Sequence, residues 1–378
     1  MRATAVSFLP LVASLAWMLG ACGDRPTPRD EPALNLEELL GGPPPEGFER
    51  ALEPRELAFP ADHGPHPGFA TEWWYFTGVL ASGNRTFGYE LTFFRKALEP
   101  EPRPRESAWA ASQLYLAHFA LSDVDAGRFR AYERSSRAAL DLAGARAEPF
   151  RVWVESWSAE GAAGGTFPLR LRAAREEDSI DLVLEPLKPP VLHGERGLSR
   201  KGAAPGNASY YYSIPRLTTS GEVRSAGERF AVEGLSWMDR EWGTSALEPG
   251  TVGWDWFGLR LDDGRELMLV RLRREDAGAD PASSGTLVEA DGASRALAHG
   301  DFVVEPLGTW TSPHSGARYP SRWRIRVPGE GIVLEIEPLL EDQELRLSVR
   351  YWEGAVRAAG SARGMPLEAE GYAELTGY

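Results

Sequence analysis

Residues 59–95 read FPADHGPHPGFATEWWYFTGVLASGNRTFGYELTFFR, and this stretch decides the fold. In Thr86–Arg95, period two puts Phe87, Tyr89, Leu91 and Phe93 on one face of a strand. The run Glu72-Trp73-Trp74-Tyr75-Phe76 reads as its partner, with a turn at Ala81-Ser82-Gly83-Asn84 between them. So aromatic a hairpin needs a large surface to cover it. It predicts a barrel wall, and a barrel able to hold an oily ligand.

The remaining chain repeats the habit. Leu114–Leu121, Arg151–Trp157, Ser209–Ile214, Phe230–Trp237, Trp254–Leu261, Trp323–Val327 and Leu345–Tyr351 are short and alternate apolar with polar. Leu345–Tyr351 alternates most regularly. Helix-period stretches are confined to Glu37–Leu40 and Ala138–Ala145. The class is all-β, and closed barrels hide the many strand edges this implies. Trp73-x-Tyr75-Phe76-x-x-x-Leu80-x-x-Gly83 aligns without gaps to Trp254-x-Trp256-Phe257-x-x-x-Leu261-x-x-Gly264, and each is followed by a strand ending in Arg, at Arg95 and at Arg271 and Arg273. The match predicts two antiparallel β-barrel domains in tandem, spanning residues 57–247 and 248–378.

Length and composition agree with that size: 378 residues with 43% hydrophobic content hold two ordinary cores. A net charge of −14, without basic clusters, excludes a nucleic-acid partner and leaves small apolar ligands open. Cys22 is the single cysteine, so no intramolecular disulfide forms. Residues 1–21 read as a lipoprotein signal peptide: Arg2, an apolar stretch from Ala3 to Gly20, then Leu19-Gly20-Ala21-Cys22. Acylated Cys22 is expected to tie an exported protein to a bacterial membrane. Residues 22–56 form a tether, with Arg25-Pro26-Thr27-Pro28 and Gly41-Gly42-Pro43-Pro44-Pro45 barring regular structure.

Carboxylates lie among aromatics repeatedly, at Glu72 before Trp73, Asp239 and Glu241 between Trp237 and Trp242, Asp255 between Trp254 and Trp256, and Glu353 after Trp352. Adding water to an alkene needs an acid, a pocket that tolerates a cation, and a placed water. Aromatic faces and a carboxyl kept neutral by apolar surroundings supply the first two. Asp239 ranks first, since alternation points it the same way as Trp237; pairing with an arginine is the other reading of Asp239 and Glu241. Glu72, Asp255 and His118 follow as candidates. Trp73, Tyr75, Tyr211, Trp237, Trp254 and Trp256 are the candidate ligand-binding aromatics. Asp62-His63-x-x-His66 could offer three metal ligands, but no fourth is placed, so neither metal nor cofactor is expected. No Gly-x-Ser-x-Gly elbow or phosphate-binding glycine loop occurs.

Longer phrases carry a family resemblance. His63-Gly64-Pro65-His66, Thr71-Glu72-Trp73-Trp74-Tyr75, Ser209-Tyr210-Tyr211-Tyr212-Ser213, Trp237-Met238-Asp239-Arg240-Glu241-Trp242-Gly243, Gly253-Trp254-Asp255-Trp256-Phe257 and Gly371-Tyr372-x-Glu374-Leu375-Thr376-Gly377-Tyr378 resemble the AttH-like proteins of the carotenoid 1,2-hydratase (hydroxyneurosporene synthase) superfamily. The resemblance covers about residues 57–378. It implies lipocalin-like barrels. It also implies two functions: an accessory lipoprotein that binds a lipid, isoprenoid or polyene beside an ABC-type export permease, or a hydratase that adds water to, or cyclises, such a substrate. The lipoprotein signal favours the first, and both stay open.

Overall fold

The computed structural model describes residues 34–35, 46–101, 106–162, 165–244, 247–276 and 278–378. The signal segment, Cys22, most of the tether and the helix candidate Glu37–Leu40 lie outside them; the described end of the tether, residues 46–56, packs on the first barrel with Phe48 and Ala51 buried, which corrects the tether reading there. The described chain is β throughout apart from two single-turn 3-10 segments, Ala61–His63 and Pro328–Glu330. It forms two antiparallel barrel-like sheets of 13 and 11 strands, in tandem.

The first sheet runs Arg128–Arg137, Gln113–Asp123, Arg85–Ala97, Thr71–Ser82, Glu228–Gly243, Ala208–Ser225, Asp178–Pro186, Leu169–Arg175, Trp157–Gly161, Arg151–Val154, Ala143–Arg146. The second runs Ser294–Ala298, Ser284–Val288, Glu266–Arg274, Thr251–Leu261, Met365–Leu375, Val349–Ala362, Ile332–Pro338, Arg318–Val327, Val303–Thr311. In both, the first long strand lies between the second and the last, so each meander returns on itself. The opening hairpin closes through Gly83–Asn84, where Ser82 faces Arg85 and Gly83 takes a φ of 60° that glycine adopts without cost.

Alternation explains what fills each barrel. Trp74, Phe76, Phe87, Leu91, Phe93 and Trp157 turn inward in the first. Phe257, Leu259, Trp323, Ile325 and Trp352 do so in the second. Each such side chain contributes about 1.5–3 kcal/mol on burial. These bulky groups pack the interiors of both barrels.

Three segments differ from the sequence reading. Leu345–Tyr351 is a tight hairpin, not one strand, because Leu345 pairs with Tyr351 across a turn at Leu347–Ser348. Opposed residues share a face, and the even spacing of the pairs Leu345–Tyr351 and Arg346–Arg350 therefore preserves period two through the turn. Arg151–Trp157 likewise turns at Glu155–Ser156, with Val154 paired to Trp157. Ala138–Ala145 is a turn leading into the strand Ala143–Arg146, with positive φ at Leu140 and Asp141, which no helix accommodates.

Candidate active site

Glu72 and Asp255 close barrel ends. Glu72 lies directly opposite Arg95 on the paired strand and binds both Arg95 and Arg240, with no exposed surface on any of the three side chains. Burial works to raise its pKa, and Arg240 and Arg95 overcome that, holding the carboxyl well below the usual range. Asp255 lies opposite Arg271 and takes contacts from Arg271 at 3.2 Å, Arg273 at 3.0 Å and the Tyr378 hydroxyl at 2.8 Å. For Asp255 burial raises the pKa and Arg273, Tyr378 and Arg271 oppose the rise without cancelling it; both carboxylates nevertheless stand between two guanidinium groups, which corrects the acid role expected of Glu72 to pinning a strand pair and gives Asp255 the same structural partners. Asp62, His66 and Glu72 are linked to one another, with His66 Nε2 at 2.9 Å from Asp62, while His63 Nδ1 meets the Tyr212 hydroxyl at 2.6 Å. Among the described residues no three His, Cys, Asp or Glu side chains are arranged to hold a metal.

The other candidates gather where the outer faces of the two barrels pack together. Tyr75, Tyr211, Trp237 and Trp256 are buried in one apolar cluster there, with Trp73 and Trp254 against it. Tyr75 meets Trp256 edge to face at 5.3 Å. Hydrogen bonds cross this seam: the Trp256 indole donates to the Tyr211 hydroxyl at 3.1 Å, and Ser122 donates to Gln343 at 2.8 Å. His118 Nδ1 lies 2.8 Å from the Tyr351 hydroxyl, and its Nε2 lies 3.3 Å from Glu133.

Strand register sets the geometry. Glu133, His118, Thr92, Tyr75, Asp239 and Ser213 are successive directly paired residues, one lateral row across the first barrel. Such neighbours sit about 4.5–5.5 Å apart. The second barrel presents the row Glu353, Glu374, Trp256 and Val270.

Asp239, 4% exposed, accepts hydrogen bonds from the Tyr211 hydroxyl at 2.6 Å, the Trp237 indole at 2.6 Å and the Ser213 hydroxyl. Burial lifts its pKa to about 7; the three donors oppose the rise and Glu241 adds to it. Glu241 itself is paired with Lys201 at 2.8 Å, the structural alternative weighed for it, though with a lysine. Behind Asp239, His193 Nε2 lies 2.5 Å from Ser213 Oγ and its Nδ1 2.8 Å from Thr286 Oγ1 in the second barrel. Burial, reinforced by Lys201, lowers the His193 pKa to about 3, so the ring is neutral and one nitrogen is free to accept.

Glu90 and Glu353 complete the seam. Glu90 pairs with Thr77 beside the central row, and burial lifts its pKa to about 7 against the opposing pull of His118. Glu353 is pushed well above the usual range, first by burial and then by Glu90 and Glu374. Neither forms a salt bridge among the described residues, nor does Asp239, whereas the equally buried Glu72, Asp255 and Glu266 each hold two cations. Burial keeps the hydroxyls of Tyr75, Tyr211, Tyr351 and Tyr372 protonated far above neutrality.

Sequence reasoning passed over Glu90, Glu374, Tyr351, Tyr372 and His193 as site residues. Glu90 carried a signal: it falls opposite Phe87, Tyr89, Leu91 and Phe93, with Gly88, Thr92 and Phe94, on the face a one-sided strand would show to water.

Comparisons with known proteins agree with this architecture. The profile of the family described as AttH-like matches residues 50–378. A solved protein of Nitrosomonas europaea described as an AttH is 37% identical, with a TM-score of 0.77, covering 88% of this chain and 100% of its own. The solved kievitone hydratase of Nectria haematococca has a TM-score of 0.66 at 16% identity over 88% of this chain and 97% of its own, a likeness of fold. Among curated proteins, the dehydratase asqC of Emericella nidulans is 22% identical over 218 residues, 55% of this chain and 60% of its own length. Kievitone hydratase of Fusarium solani subsp. phaseoli is 23% identical over 221 residues, 54% of this chain and 59% of its own. The match thus spans about three fifths of each curated relative.

Proposed function

The chain belongs to the AttH-like family, and from that membership we propose that it is a hydro-lyase, adding water to or removing it from an apolar isoprenoid or polyene-like substrate at the seam between the barrels. One observation carries the reading: three buried carboxyls without cation partners, Asp239, Glu90 and Glu353, converge there beside indoles and phenols. A carboxyl near neutrality can give or take a proton at working pH, and indole faces stabilise a carbocation. The curated relatives named as a hydratase and a dehydratase support this reading over the carrier reading favoured by the signal sequence.

The test is incubation of the purified protein with lycopene, neurosporene and kievitone in heavy-oxygen water. The expected result is a product heavier by one labelled water, lost in Asp239→Asn. Absence of label from every substrate, with the protein folded, refutes the reading. Export and acylation at Cys22, and a membrane neighbour such as an ABC permease, belong to the same proposal. Cys22→Ala is expected to move the protein from the membrane to the soluble fraction, and unchanged fractionation refutes the anchor.

A further inference from the structure

Glu90 and Glu353 come from different barrels, on the strands Arg85–Ala97 and Val349–Ala362, which pack across the seam where Gly88 faces Ala355 and Tyr372. Both Glu90 oxygens, Oε1 of Glu353, and the hydroxyls of Thr77 and Thr92 are buried and make no hydrogen bond of normal geometry among the described residues. Thr77 lies directly opposite Glu90, and Glu374 directly opposite Glu353. The groups facing this pair are Tyr75, Tyr351, Tyr372, His118 and Glu374, with Arg260 beyond Tyr372. Two ionised carboxylates here would be buried, mutually repelling and without a guanidinium or ammonium partner, which the interior does not tolerate. Asp239 differs, because three donors already satisfy an ionised carboxylate.

We propose that Glu90 and Glu353 together hold one proton in the seam and are its acid, while Asp239 is its base. The assignment rests on the hydro-lyase reading. In hydration, the Glu353 O–H bond breaks and its proton joins one alkene carbon through the π electron pair. Water oxygen bonds to the other carbon, and the proton that water sheds goes to the Asp239 carboxylate. The substrate has gained one water and the protein has moved one proton from Glu353 to Asp239. The cycle closes when Asp239 sheds that proton to water and Glu353 takes one up from water; Tyr75, paired with Asp239 on the neighbouring strand, stands between them with a buried hydroxyl that makes no hydrogen bond of normal geometry among the described residues. Dehydration is the same sequence reversed. Two carboxyl environments pushed apart in this way divide acid from base.

Infrared spectroscopy of the full chain without substrate, at mildly alkaline pH, tests for the proton held by the pair. The expected spectrum contains a protonated-carboxyl carbonyl band that shifts in heavy water, disappears in Glu353→Gln and Glu90→Gln, and survives in Asp239→Asn. No band removed by Glu353→Gln overturns the proposal; if that variant does not fold, Glu90→Gln carries the test. With the labelled-water assay positive, Glu353→Gln is expected to lose about 100-fold or more in turnover. Undiminished turnover in a folded Glu353→Gln overturns its role as acid. A band present with no turnover on any substrate upholds the proton held by the pair and refutes the hydro-lyase reading instead.

Discussion

Replacing Glu90 by Gln keeps the shape of the side chain and removes its charge, so the variant isolates what ionising this position costs the fold. The folded pKa of about 7 lies above the ordinary 4.5, so the native state binds more protons than the unfolded chain between those values. The group's contribution is therefore fully present below 4.5 and is lost as pH rises to about 7. At about 1.36 kcal/mol per pH unit, the interval from 4.5 to about 7 corresponds to roughly 3 kcal/mol. Loss of Glu90 also relieves Glu353, with the same sign. Thermal unfolding of both proteins should give similar Tm values near pH 4.5, with the Gln variant gaining steadily up to pH 7 and above. At about 2 °C per kcal/mol for a chain of this size, the gain approaches about 6 °C. Titrating groups that do not interact with Glu90 cancel in the difference. A Tm difference that does not change with pH, or one that favours the parent protein at alkaline pH, refutes the claim that this carboxyl is buried without a cation.

Asp239→Asn is expected to cut turnover on any competent substrate by about 100-fold or more, with near-unchanged Tm, measured by product mass against thermal unfolding. Glu72→Gln leaves Arg95 and Arg240 buried without their shared carboxylate and is expected to cost about 3–5 kcal/mol in denaturant unfolding; a loss under 1 kcal/mol contradicts the pinning role. Gly88→Ala places a methyl group 2.7 Å from the Tyr372 hydroxyl and 2.8 Å from Ala355 Cβ, across the seam. Overpacking there is expected to cost about 1–3 kcal/mol, and adding Tyr372→Phe should recover part of it.

Much of the fold was legible because strand alternation and turn chemistry are local. The hairpin and its distant counterpart at Trp254–Leu261 could be read from spacing alone, whereas Glu72 and Asp255 were read as acids and their arginine partners became visible with the strand register. The location of the site could not. Period two assigns residues to two faces without saying which one is wet, and the strand Arg85–Ala97 is buried on both for nine consecutive residues, Phe87–Arg95. Phe87, Tyr89, Leu91 and Phe93 were read as the face that matters, which left Glu90 and Thr92 to solvent. The aromatics chosen as ligand contacts converge as a group, but on the outside of their barrels. His193 had no local signal: its importance comes from Ser213 and Thr286, which lie 20 and 93 residues away.

The contact between Tyr75 and Trp256 also says something about ancestry. These residues occupy equivalent places in the internal repeat, and equivalent residues touch each other where two copies are related by a two-fold axis. The pattern extends to the strands alongside: Asp239 pairs with Tyr75 as Glu374 pairs with Trp256. One step further the halves part company, with Ser213 beside Asp239 but Glu353 beside Glu374, and Thr92 beside Tyr75 but Val270 beside Trp256. A symmetric dimer of one barrel would be obliged to repeat every change on both sides of its axis. Joining two copies in one chain lifts that obligation, and the seam then carries a carboxyl on one half where the other keeps a hydroxyl.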